Sequence, residues 1–319
     1  MTGKHRIFAF IAGFCASWAC AEPPAVAQPK KDADKSKAAT KAKKEAKPDR
    51  YIRVLRDAKD QPIALETSVV RFTPKEGDHP VVDLVGAVHV GDKEYYDQLN
   101  QEFKNYDAVL YELVAAPGAN VPGKRDKAKA ESGVSFLQRA IKSALKLEFQ
   151  LDEIDYTRAN FVHADMSPSE FSATMQKRGE NIFTMIRQMM AASMKQQMAG
   201  GKQPNDLQLI GALLASDDGV ALKRIAAEQL GNLEVMSEAM GGKEGSTIIT
   251  ERNRKALEVL RERIDEGKAK TFGIFYGAGH FPDMEERLVK EFGLVRRTER
   301  WVTAWKMPDP PKPAEEKKK

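Results

Sequence analysis

The chain has 319 residues, 42% of them hydrophobic, enough to bury a large core as one big domain or two small ones. Formal net charge is +5, but residues 1–50 hold eleven Lys and Arg against five acids, so the rest of the chain is close to neutral. A near-neutral folded region offers no basic face, which argues against nucleic acid as a partner.

The amino terminus has the pattern of an export signal over residues 1–21. Lys4, His5 and Arg6 precede the apolar residues 7–19, and Ala19-Cys20-Ala21 supplies a small-residue cleavage pattern. The apolar stretch is short for a membrane span. Cys15 and Cys20 both lie in or beside it, so the mature domain has neither disulfide nor thiol nucleophile. Cys20 preceded by Ala19 is also a candidate for lipid anchoring, but Ser17-Trp18 fits a lipobox poorly, and soluble release to the periplasm or the medium is expected. Residues 22–50 are Pro, Ala and Lys with almost no large apolar side chain, a composition that cannot repay the entropy of folding. They read as a flexible cationic tether, in the first place a solvated spacer and in the second a weak contact for anionic lipid at a membrane surface.

Folded sequence is expected over residues 51–305. Residues 51–55 and 63–72 alternate as two strands around the turn Lys59-Asp60-Gln61-Pro62. A phrase used twice follows. Gly86-Ala87-Val88-His89 ends the apolar run 81–85, and Gly277-Ala278-Gly279-His280 ends the run 272–276. An aspartate stands three residues past each histidine (Asp92, Asp283) and a glutamate five past (Glu94, Glu285), and a helical pattern then closes at Phe103 or Phe292. A run apolar on both faces reads as a central strand, and a helix after it implies a parallel strand-helix-strand passage. The predicted fold is therefore α/β, a mixed central sheet built from two strand-GxxH-helix-strand units with a large helical insert at about residues 134–264. Both histidines fall at carboxyl ends of strands, where open α/β sheets bind their ligands. Glu112 takes the same place after the strand-like residues 106–111, and a site role is favoured over a solvated loop acid.

Residues 113–133 read as a loop beside the site. Within the insert, His163 and Asp165 precede Ser167-Pro168-Ser169-Glu170, a capping box with proline in the first turn, and are expected to serve capping and buried hydrogen bonds. Met185, Met189, Met190, Met194 and Met198 form an apolar surface that reads first as core or dimer face and second as a peptide contact. Thr250-Glu251-Arg252-Asn253 opens the last long helix, with Asn253 on its apolar stripe. Two readings stand for this pair: hydrogen-bond donors to a substrate or oxyanion, or a buried amide satisfied by backbone beside an arginine in a surface ion pair. Ser135 and Ser246 lie in no nucleophile context. Residues 306–319 are a Pro- and Lys-rich tail.

Taken together these features resemble the TraB/GumN family, which includes the Tiki proteins. The resemblance rests on the two Gly-x-x-His motifs, on Glu112, on Arg252-Asn253 before the second motif, and on Ala164-Asp165-Met166. It implies the α/β fold shared with erythromycin esterase and haem-binding ChaN proteins. It also implies metal-dependent peptidase activity on a peptide or protein substrate, with manganese or cobalt as the expected ion. Two histidines and a carboxylate suit a divalent ion, zinc included, that keeps open positions for water, so His89, Glu112 and His280 are the expected ligands or proton carriers. Arg252 and Asn253 are expected to orient substrate or stabilise an oxyanion. The rival reading is an exported protein on the same fold that captures a peptide or haem without turnover.

Overall fold

The computed structural model describes residues 51–116, 118–119, 144–181, 187, 208, 211–212, 214–215, 219–231 and 245–308. The expected export signal, tether, methionine-rich surface and most of the tail lie outside these residues, as does Ser135.

Nine strands are described: β1 (Ile52–Arg56), β2 (Pro62–Pro74), β3 (Val81–Ala87), β4 (Val90–Gly91), β5 (Ala108–Tyr111), β6 (Glu148–Phe149), β7 (Phe161–His163), β8 (Thr271–Gly277) and β9 (Leu294–Lys306). Seven of them form one mixed sheet, in which β1, β2, β3, β8, β5 and β7 follow one another and β9 pairs with β2. The expected hairpin is present. β1 and β2 are antiparallel, and Asp60 in the turn between them has φ 63°. The long β2 then carries β1 and β3 end to end on one edge and the whole of β9 on the other.

The pairs β3·β8, β8·β5 and β5·β7 are all parallel. Val82, Leu84, Val85, Phe272, Ile274 and Phe275 are fully buried, as strands covered on both faces require. One carboxyl edge therefore collects the ends of four parallel strands. Gly86 sits inside β3, not in a turn, and a Cβ there would lie 3.0 Å from the Ser68 carbonyl oxygen of β2. Glycine at this position lets the two strands approach.

Six α-helices have ranges among the described residues, α1 (Lys93–Glu102), α2 (Gln150–Glu153), α3 (Pro168–Lys177), α4 (Val220–Gly231), α5 (Arg252–Asp265) and α6 (Phe281–Phe292), beside shorter helical turns at Phe103–Asn105, Thr247–Glu251 and Ala278–His280. None is long and apolar enough to cross a membrane. The passage from β3 through α1 leads to β5, and that from β8 through α6 leads to β9, but in neither case are the two strands neighbours. β8 lies between β3 and β5, and β9 lies across β2.

The stretch expected to be mostly helical also supplies β7, which extends the sheet beyond β5. Its three residues are too short a run for periodicity to separate from a helix flank. At the other end of the chain, β9 runs through Lys306, and Met307 is buried with its N–H on the Ile63 carbonyl, past the boundary expected at residue 305.

The matched aspartates clamp both passages. Asp92 accepts from Lys223 Nζ at 2.7 Å and from the Lys306 N–H at 2.6 Å, tying α4 and β9 to the start of α1. Asp283 accepts from Asn253 and Arg287, both at 2.8 to 2.9 Å, tying α5 to α6. Glu285 receives the Tyr51 hydroxyl and pairs with Arg296.

Candidate functional site

Four side chains follow the four parallel strand ends in spatial order: His89 after β3, His280 after β8, Glu112 after β5 and Asp165 after β7. The strand order brings together His280 and Glu112, whose residues are far apart in sequence. His280 Nε2 lies 3.6 Å from Glu112 Oε1.

Glu112 is held on both oxygens. Oε1 accepts from Arg252 Nη2 at 2.8 Å, and Oε2 from the Gly277 N–H at 2.7 Å. Burial opposes its ionisation, but Arg252 first, then His280 and His89, and the Gly277 N–H more than offset that cost and hold the carboxyl well below the usual carboxylate range.

Arg252 stands at the first position of α5, directly after a π-helical turn over Thr247–Glu251 whose cap, Ser246, accepts from the Ile249 N–H. Single π-type turns are rare and recur at functional sites. The guanidinium donates from Nε and Nη2 to both oxygens of Asp165 as well as to Glu112. Burial works against its charge, and the two carboxylates more than restore it, raising Arg252 above an ordinary arginine. Its surroundings therefore carry two formal negative charges against one positive.

Asn253 fixes the protonation of His280. Its Nδ2 faces two groups that can only accept, the His280 carbonyl at 2.9 Å and Asp283 Oδ2 at 2.8 Å. Oδ1 is thereby turned to His280 Nδ1, 2.6 Å away, and Nδ1 must carry the proton. The lone pair is left on Nε2, toward Glu112. Burial pushes the imidazole down to about 4, with Arg252 and His89 acting in the same direction and Glu112 and Asp165 opposing them. His280 is a neutral acceptor at pH 7 facing an ionised acceptor, with no proton between them.

His89 is exposed where His280 is buried. The difference is local. The chain after His89 enters the short strand β4, which pairs with β6, whereas the chain after His280 turns straight into α6 with Pro282 in its first turn. His89 Nδ1 meets Gln150 Oε1 at 3.3 Å. It is near enough to act electrostatically on both Glu112 and His280.

His280 and Glu112 fit a shared ion, since two donors each about 2.1 Å from a metal can stand this far apart. Among the described residues no group of three His, Cys, Asp or Glu side chains stands close enough to hold one, so His89 belongs to the same edge without closing a three-ligand set.

The remaining expectations separate. Asn253 is spent on His280 and Asp283, and three of the Arg252 bonds go to carboxylates, so both residues shape the site from within it. Arg252 is in no surface pair, as it is 9% exposed. Asn253 does satisfy a backbone carbonyl, as a buried amide should. The capping box at Ser167 and Glu170 is formed, and His163 Nε2 donates to the Leu113 carbonyl. Asp165 does not cap the helix, which Ser167 does: it anchors Arg252, and its signal in the sequence was its place just past Phe161-Val162-His163, as Glu112 stands past its own strand. Gln150 gave no signal. It is a lone glutamine between Phe149 and Leu151, and only folding sets it against His89. No protein-family model, curated protein or solved structure matches the chain.

Proposed function

We propose that the chain is an exported, metal-dependent hydrolase of the TraB/GumN type, acting on peptide bonds in a peptide or protein substrate. The observation that carries this reading is the meeting of His280 Nε2 and ionised Glu112 at 3.6 Å, two acceptors with no proton between them and an excess of formal negative charge around them. A divalent cation is the chemical complement of that arrangement. Manganese or cobalt follows the family resemblance, and zinc suits the donor set equally. His280 and Glu112 would hold the ion, and His89, which forms no three-ligand group with them in this structure, would have to turn toward the pair to join them.

A bound divalent ion supplies a water of lowered pKa and a Lewis acid for the scissile carbonyl. Arg252 keeps Glu112 ionised and aimed at His280. Asp165 fixes the guanidinium so that this aim does not drift. Asn253 holds the His280 lone pair outward. The two passages from a GxxH strand through a helix to a further strand are read as one duplicated unit, each copy delivering a histidine to the common edge, with the expected helical insert between them in sequence.

The test is metal analysis of the purified full-length protein, followed by incubation with a peptide library before and after chelation. Cleavage that is lost on chelation, regained with manganese, cobalt or zinc, and absent in His280→Ala supports the proposal. A protein that retains a peptide or haem and leaves every peptide intact overturns it in favour of the capture reading.

A further inference from the structure

His89 is served by a carboxamide in the way His280 is. Gln150, 5% exposed at the start of α2, places Oε1 3.3 Å from His89 Nδ1 and donates from Nε2 to the Tyr156 hydroxyl at 2.9 Å. Its own N–H donates to the His89 carbonyl at 2.9 Å, and β4 pairs with β6 immediately before it. The residue is therefore fixed to His89 by backbone and side chain together. Asn253 holds His280 in the same three-part way, with its amide oxygen on Nδ1, its amide nitrogen on a second partner, and a bond to the histidine carbonyl.

We infer that Gln150 is a positioning residue that selects the Nδ1–H tautomer of His89, so that both site histidines present an Nε2 lone pair at the sheet edge. An isolated neutral imidazole in water favours the opposite tautomer, with the proton on Nε2. An exposed histidine such as His89 would revert to that form without a fixed acceptor at Nδ1. A buried amide oxygen supplies the acceptor without adding charge, whereas a carboxylate there would raise the basicity of the ring. The amide nitrogen of Gln150 faces the hydroxyl of Tyr156, which is buried and ring-packed against Tyr111 and Phe161, and the amide oxygen is left to His89. Turning the amide over would place an N–H on His89 Nδ1 and force the proton to Nε2. The two arrangements thus leave opposite protons on the ring, which makes the inference measurable. Its consequence for ion binding rests on the function proposed above, but the tautomer does not.

The experiment is nitrogen-15 imidazole spectroscopy on the full-length protein, metal-free and above pH 7, paired with zinc titration as the ion probe. In the wild-type chain, His89 should show a protonated Nδ1 and a bare Nε2. Gln150→Met, of similar length without the acceptor, should move His89 toward the Nε2–H form, while the unchanged His280 pattern reports an intact fold. Gln150→Glu keeps the acceptor and should restore the Nδ1–H form. Zinc affinity should fall about tenfold or more in Gln150→Met and not in Gln150→Glu. A wild-type His89 protonated on Nε2, or one that Gln150→Met does not alter, overturns the inference. A tautomer switch with no change in zinc binding upholds the positioning role and counts against the metal reading instead.

Discussion

Arg252 grips Asp165 by two parallel bonds, Nε to Oδ1 at 2.9 Å and Nη2 to Oδ2 at 2.6 Å, and spends the same Nη2 on Glu112. The fork fixes a planar cation between two strand ends that belong to β5 and β7. Lysine cannot reproduce it, since an ammonium offers a point charge where the guanidinium offers a plane.

Removing Asp165 should leave the buried Arg252 with Glu112 as its one partner in this fork and its Nε donor without an acceptor. Asp165→Ala is expected to cost about 3 kcal/mol. Arg252→Lys should cost less in stability and loosen Glu112, because the three bonds cannot all be kept. Urea denaturation reads the first as a lower midpoint at unchanged slope. An Asp165→Ala midpoint equal to wild type would show that the fork holds nothing.

Glu112→Gln separates the site from the scaffold. The amide is nearly isosteric and can still accept from Gly277, but it removes the charge facing His280. Activity on the peptide identified by the library should fall by a factor of about 100 or more, equivalent to about 2.7 kcal/mol of transition-state stabilisation. Bound divalent metal should fall with it, as measured by metal analysis after dialysis. Full activity in the variant would remove Glu112 from the chemistry.

Stability should depend on pH through His280. The folded state holds the ring near 4 while the unfolded chain titrates near 6.5, so the unfolded state binds more protons between those values. The contribution of His280 is complete above about pH 6.5 and is lost as the pH falls to about 4, a loss of the order of 3 kcal/mol. Glu112 acts in the same sense at lower pH. Its share is present above its unfolded value of 4.5 and disappears as the pH drops through its depressed folded value. Unfolding free energy measured from pH 7.5 to 4 should fall, and His280→Gln should remove about one proton from the slope. A slope of the opposite sign would contradict the buried neutral ring.

Lys223 and Asp92 form a second buried pair, at 2.7 Å, with side chains 8% and 11% exposed. It carries no part of the site, but it anchors α4 to the first GxxH passage. Lys223→Ala should destabilise by about 3 kcal/mol through the stranded carboxylate, while Lys223→Met combined with Asp92→Asn should recover much of that loss. The double variant also keeps an amide oxygen for the Lys306 N–H. Thermal or denaturant midpoints of the wild type, Lys223→Met, Asp92→Asn and the double variant test this as a cycle, and additive losses would refute the pairing.

The sequence by itself determined the strand-forming runs, the hairpin at Asp60, the helices after His89 and His280, the capping box at Ser167, and the placing of His89, Glu112 and His280 at strand ends. Each of these depends on local periodicity or on turn and cap chemistry, which act between residues a few positions apart. Tertiary structure alone decided that β8 inserts between β3 and β5, putting His280 beside Glu112, and that β7 rises from the insert to bring Asp165 to Arg252. It also buried His280 while leaving His89 exposed, and turned Gln150 and Asn253 onto the two Nδ1 atoms. Strand order is a choice among pairings of similar local propensity. It is settled by which buried faces and buried charges can be satisfied together, a condition that no short stretch of the chain contains.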